Sequence, residues 1–342
     1  MTAAVTTTPE RKSWRRLALV LAAFVLLPLA TTQLQLVVPI LETPLLLVPI
    51  IAVCAIVGWL AGGKPWLAIV WVGLAAWLLI VPIGKSGTPY EGMARGWALL
   101  LAGSFGLMSL WSSATPFFVR ALGALGLAMG TAFAVAISSP GGVERYKQVS
   151  ASEFGGRANA VVAILEAEGH SPIFRSYASR VPEMDDVLAD AQAKVKAMPA
   201  WSAILLPALI ALESLASLAI GWAVYTRITP ERIGPALAPL RDFRFSDQLV
   251  WGVAVGATML LLPPFQEGRN SGLNLLVFFG ALYFVRGMGV MAWTSRRRGL
   301  LIASVIVFFF VPPLFKLLVA AITGVGLGDT WLDWRSRATA VG

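Results

Sequence analysis

An all-α transmembrane bundle of eight or nine spans is the fold the sequence predicts, and three observations predict it. The 342 residues are 57% hydrophobic and 13% charged, with a mean hydropathy of +0.76, against about 45–50% apolar and about 25% charged in soluble domains. Apolar runs close to the roughly 20 residues a helix needs to cross hydrocarbon recur along the chain. Lys and Arg sit in short clusters between those runs, the pattern that orients a polytopic chain. The formal charge of +9 therefore reads as membrane orientation and gives no nucleic-acid partner.

Taken in order, residues 1–16 form a basic N-terminus with Arg11, Lys12, Arg15 and Arg16. The run "LALVLAAFVLLPLATT" that follows exceeds a signal-peptide core of about 7–15 residues and continues almost at once into a second run, so it reads as a retained helix. Spans are expected at 17–38, 44–62, 65–83, 93–111 and 115–138, and again at 200–225, 248–264, 272–293 and 300–323. Gln33, Gln35 and Pro39 soften the end of the first, and merging the first two leaves eight. The chain thus divides into an N-terminal bundle (17–138, four or five spans), an insertion (139–199), a C-terminal bundle (200–325, four spans) and a tail (326–342).

Under nine spans the N-terminal cluster, Lys64, Arg120, the segment 226–247 and Arg296 to Arg298 all share one side, which the positive-inside rule makes the cytoplasm of a bacterial inner membrane. The insertion then faces out. Its seven Lys/Arg against eight Asp/Glu show no positive bias. Within it "GRANAVVAILEAEG" and "VPEMDDVLADAQAKVKAMP" read as helices, the second with acids in its first turn and Lys194 and Lys196 in its last. They predict a helical hairpin over the outer surface. Nine spans put the tail outside and eight put it inside.

Ionisable side chains within spans are costly, so each is a functional hypothesis. Four stand out: Glu213 in "LPALIALESLASLAIGW", Arg286 in "FFGALYFVRGMGVMAW", Lys316 after the prolines of "FFFVPPLFKLLVAA", and Arg120 one turn into the fifth span. Glu213 is expected to pair with Arg286 or Lys316. The group reads as an interhelical clamp without a ligand, as a polar pocket for a small anionic or zwitterionic solute, or as a proton-coupling site at Glu213. Pro263 and Pro264 near the end of one span, and Pro312 and Pro313 inside another, would break backbone hydrogen bonding. Trp residues cluster near span ends, as interfacial belts do.

No chemistry of the enzymatic kind is legible. There is no GxSxG elbow, no HExxH and no pair of intramembrane carboxylates at helical spacing. The single Cys54 has no disulfide or thiolate partner, and the lone His170 cannot build a multi-histidine site. No catalytic residue, metal or cofactor is expected.

Two stretches together carry a resemblance. The segment "RITPERIGPALAPLRDFRFSDQLVWGVAV" sets a Pro/Leu-rich stretch and then "LRDFRFSDQLVW" directly before a span, and the last span runs into "GLGDTWLDWRSR". This resembles the YybS-like family of bacterial multi-pass membrane proteins (domain-of-unknown-function family 2232), with its "P..pF..w" junction and terminal "GlxDxxxDfR" signature, over roughly Leu205 to Arg337. The chain departs from it in lacking a proline just before the span and in having no alignable motif within 139–199. The resemblance assigns no activity. The family's hydropathy pattern is similar to two groups, which implies two expectations. The first is a solute-binding subunit, like those of energy-coupling-factor transporters, that borrows an ATPase module. The alternative is a scaffold for an envelope, cell-shape or division machine, working through a cytoplasmic surface at Arg241, Asp242 and Arg244 and through the tail. In both cases the partners are the bilayer and another membrane protein or module.

The signature positions of the tail are Gly326, Gly328, Asp329, Trp331, Asp333 and Arg335. Gly326 and Gly328 are expected to break the last span, with Thr330 and Asp333 then forming a capping box for a short interfacial helix. Asp333 would pair with Arg337 and Trp331 would stack on Arg335. Asp329 would reach the triplet Arg296 to Arg298 if the tail is cytoplasmic.

Overall fold

The computed structural model describes residues 14–81, 87–111, 114–181, 183–229, 233–294 and 312–334. All regular structure among them is helical, as the composition requires. The N-terminal bundle contains α1 (Trp14–Ala30), the single turn α2 (Thr32–Gln35), α3 (Pro44–Leu60), α4 (Pro65–Ile80), α5 (Pro89–Trp111) and α6 (Phe117–Ser138). Pro44 and Pro65 open their helices at the position where a missing N–H costs nothing. Between α3 and α4, Gly62 takes a left-handed φ of +98°, which lets the chain reverse in four residues. The first span ends at Ala30, short of the expected 38, because the chain leaves the helix and stays irregular from 36 to 43 apart from bends and turns.

The insertion is a helical hairpin: α7 (Gly142–Gly169), the short α8 (Pro172–Ala178) and the first half of α9 (Glu183–Ile228). The boundary expected at 199/200 falls inside α9, a single helix of 46 residues, about 69 Å at 1.5 Å per residue. It therefore runs without interruption from the insertion into the bundle. Pro199 and Pro207 lie within it, and proline removes a helical hydrogen bond and pushes on the preceding turn. At Pro207 the repair comes from another helix. The Asn274 amide of α11 (Arg269–Thr294) accepts the Ala208 N–H at 2.9 Å and donates to the Ile204 carbonyl at 2.8 Å, standing in for the bond those two groups would make with each other.

Five described helices are long and apolar enough to cross a membrane: α5, α6, α9, α11 and α12 (Pro312–Leu332). The apolar α3, α4 and α10 (Val250–Leu261) are shorter. Pro263 and Pro264 follow the end of α10 in a 3-10 turn, where the pair is expected to break the backbone hydrogen bonding of the span. Helices α10 and α11 pack closely because Gly256 and Gly272 face each other, each with the other's carbonyl where a Cβ would stand.

One expectation fails in α12: Gly326 and Gly328 lie inside it. Pro312 and Pro313 are its first described residues, and the stretch on whose continuity the expected break depends, 295–311, lies outside the described residues. Gly326 sits on the Tyr283 carbonyl of α11 and Gly287 on the Ile322 carbonyl of α12. A side chain at either position would collide with backbone. The glycines thus buy close helix approach, not a break.

Candidate functional site

The four intramembrane candidates go to separate environments. Glu213, buried on α9, accepts the Ile40 N–H through Oε2 at 3.1 Å. The reason lies in the irregular segment 36–43, whose backbone groups lack helical partners and must find others inside the protein. Side chains from three helices supply them. Arg157 of α7 donates to the carbonyls of Gln35 (3.2 Å), Val38 (2.8 Å) and Pro39 (3.1 Å). The Tyr90 hydroxyl donates to Pro39 O at 2.9 Å, and the Ser202 hydroxyl to Leu36 O at 2.7 Å. Glu153, one turn before Arg157, holds its Nε at 2.9 Å, and the guanidinium lies over the rings of Tyr90 and Phe154.

The expected pairing of Glu213 with Arg286 or Lys316 is therefore corrected: its carboxylate is taken by backbone. Lys316 is exposed on α12 and joins neither partner. Arg286, 3% exposed, has two other carboxylates. Its Nε donates to Asp329 at 2.9 Å and its Nη1 to Asp247 at 2.8 Å, while its guanidinium lies 5.3 Å from the centre of the Phe245 ring. Asp329 is buried, whereas Asp247 reaches it from the solvent-facing end of the segment before α10.

The tail is thereby tied to the segment 240–247. A second link joins Arg244 to Asp333 at 2.7 Å, and Gly289 of α11 leaves room for the Leu240 carbonyl. Arg241 and Asp242 lie exposed in a 3-10 turn beside it, 3.4 Å apart. Trp331 is 66% exposed. The capping-box reading fails because Thr330 is an interior residue of α12. Asp333 instead closes the helix with φ of +39°, a conformation Asp tolerates better than most residues. Asp329 meets Arg286; its expected contact with the triplet Arg296 to Arg298 lies outside the described residues, as do Arg335 and Arg337 and the expected contacts of both.

Arg120 differs from the rest. It is fully buried at the start of α6, 4.5 Å over the Trp222 ring, and none of its three guanidinium nitrogens has a hydrogen-bond partner among the described residues.

Sequence reasoning missed Asp247, Arg157, Tyr90 and Asn274. Asp247 stood in the quoted "RFSDQLVW", and Arg157 follows Glu153 at helical i,i+4 spacing. Nothing in the one-dimensional pattern pointed Asn274 at a proline on another helix.

A family model described as Predicted membrane protein (DUF2232) matches residues 174–330. The match takes in most of the stretch that carries the resemblance and is consistent with it, and it contains Glu213, Asp247, Arg286, Gly326 and Asp329. No curated protein and no solved structure matches the chain.

Proposed function

Starting from a membrane protein whose residues 174–330 match the DUF2232 model, we propose that the chain is a non-enzymatic scaffold of a bacterial inner membrane. Its working surface is the joint between segment 240–247 and the end of α12. The observation that carries this reading is the Arg286 bridge between Asp247 and Asp329. Two stretches that the sequence offers as separate partner surfaces become one, with Arg241, Asp242 and Trp331 exposed around it. With the N-terminus cytoplasmic, the nine-span count places segment 240–247 in the cytoplasm, and the tail's contact with that segment departs from the same count, which sends the tail outside. The solute-binding reading with an ATPase module is weaker, since among the described residues Glu213 and Arg286 have separate partners and Lys316 is exposed.

Affinity purification from native membranes, with mass spectrometry of what travels along, tests the proposal. Envelope, cell-shape or division proteins should accompany the wild-type chain, persist with Glu213→Gln, and be lost when Arg241→Ala and Arg244→Ala are combined. An ATPase that is lost with Glu213→Gln and kept by the arginine variant would overturn it in favour of transport.

A further inference from the structure

Among the described residues, the buried and part-buried charges discussed above have partners, with one exception. Arg286 holds two carboxylates, Arg157 a carboxylate and three carbonyls, and Arg95 holds Glu91 with the carbonyls of Leu79 and Val81. Arg120 is fully buried, and its Nε, Nη1 and Nη2 meet no acceptor among the described residues. Arginine cannot shed its proton to escape that position. It lies on the Trp222 face, and a cation-π contact offsets only part of the cost of burying a guanidinium.

The surroundings are shaped around that face. Trp222 packs against Phe105 and Phe117 with ring centres 6.1 Å from each, and beside Tyr225 at 5.8 Å. Its Nε1 donates to the Pro235 carbonyl at 3.1 Å, and Ile233 is buried in the same cluster. The segment 233–237 thus meets the edge of the ring whose face carries the cation.

We propose that Arg120 and Trp222 form an internal receptor for an oxyanion, a phosphate or carboxylate group, admitted when segment 233–237 releases Trp222. The planar fork of the guanidinium presents paired N–H donors that match two oxygens of such a group. The aromatic wall orients the fork by stacking and leaves its edge, where the donors are, for the anion. The site is separate from the Arg286 joint and does not depend on the scaffold reading. Phosphate of the required chemistry exists both free and as a lipid headgroup, so the test has an arm for each.

The full chain, purified in a mild neutral detergent, is melted with increasing inorganic phosphate at constant ionic strength against chloride. In parallel it is melted in nanodiscs of phosphatidylcholine with and without phosphatidylglycerol. Saturable stabilisation of the wild type by phosphate, absent in Arg120→Met, supports a soluble oxyanion; stabilisation only by phosphatidylglycerol, again absent in Arg120→Met, supports a headgroup. Arg120→Met should fold, because an apolar side chain of similar volume replaces an unpaired charge. Should it not, Arg120→Lys keeps the charge and loses the fork, and its midpoint for the same anion should rise about tenfold. No saturable shift in either arm, an equal shift in Arg120→Met, or an unchanged midpoint in Arg120→Lys overturns the proposal and leaves Arg120 as a packing residue on Trp222.

Discussion

Arg157 and Arg286 are each laid against aromatic rings inside the helical framework, yet they answer different problems. Arg157 gathers three carbonyls from chain that has left the helix, and its one carboxylate is a neighbour on its own helix. Arg286 gathers two carboxylates that lie 39 and 43 residues away. The first neutralises a shortage of backbone donors; the second joins distant segments by charge. Loss of the first leaves dipoles short of a partner, whereas loss of the second removes a positive charge from beside a buried anion, so the two should fail to very different degrees.

Arg286→Met is expected to do the most damage, because it takes the guanidinium away from the buried Asp329. Breaking one side of a buried pair costs about 3–5 kcal/mol, to be read as a loss of unfolding free energy in detergent. The double variant Arg286→Met with Asp329→Leu should recover much of that loss, since paired removal of buried charges is often near neutral. If the double variant is as unstable as the single, charge is not what distinguishes the two clusters.

Asn274→Leu tests the backbone problem in its purest form, with no net charge involved. It would leave the Ala208 N–H and the Ile204 carbonyl without their partner, and each orphaned buried group costs about 1–3 kcal/mol. Asn274→Gln should not rescue it, because the longer side chain misplaces both amide atoms. A smaller loss is expected for Arg157→Met, about 2 kcal/mol, since its carbonyls are only partly buried and the hydroxyl of Tyr90 still serves Pro39. A loss from Arg157→Met equal to that from Arg286→Met would erase the contrast between the clusters.

Much of this was legible in the sequence at the level of elements and little at the level of pairs. Hydropathy finds α5, α6, α9 and α11 because a spanning helix leaves its length in the apolar run. It misplaces the end of α1 and the behaviour of Gly326. A glycine in a helix reads locally as a break, and only the carbonyl of Tyr283 on a neighbouring helix turns it into a contact point. In the same way Glu213 looks like half of an ion pair until the irregular segment at Ile40 is seen to need an acceptor. Asp329 was marked by its signature, but its partner depends on how α12 lies on α11, which no spacing rule encodes.

The two acids of that signature differ as the clusters do, and Asp333→Asn sharpens the difference at its small end. Arg244 and Asp333 meet at 2.7 Å with both side chains about half exposed, and such pairs contribute roughly 0.2–1 kcal/mol. Asn is as tolerant as Asp of the positive φ at this position, so the substitution removes charge with little change of backbone. The loss should shrink further as salt is raised from 0.1 to about 1 M, where the screening length falls from roughly 10 to 3 Å. Arg286→Met should keep nearly all of its effect over the same range, because a buried pair is screened far less. A stability loss for Asp333→Asn that is large and insensitive to salt would mean the tail is clamped at both acids. A small one, combined with loss of the co-purifying proteins, would assign Asp329 to holding the tail in place and Asp333 to the partner.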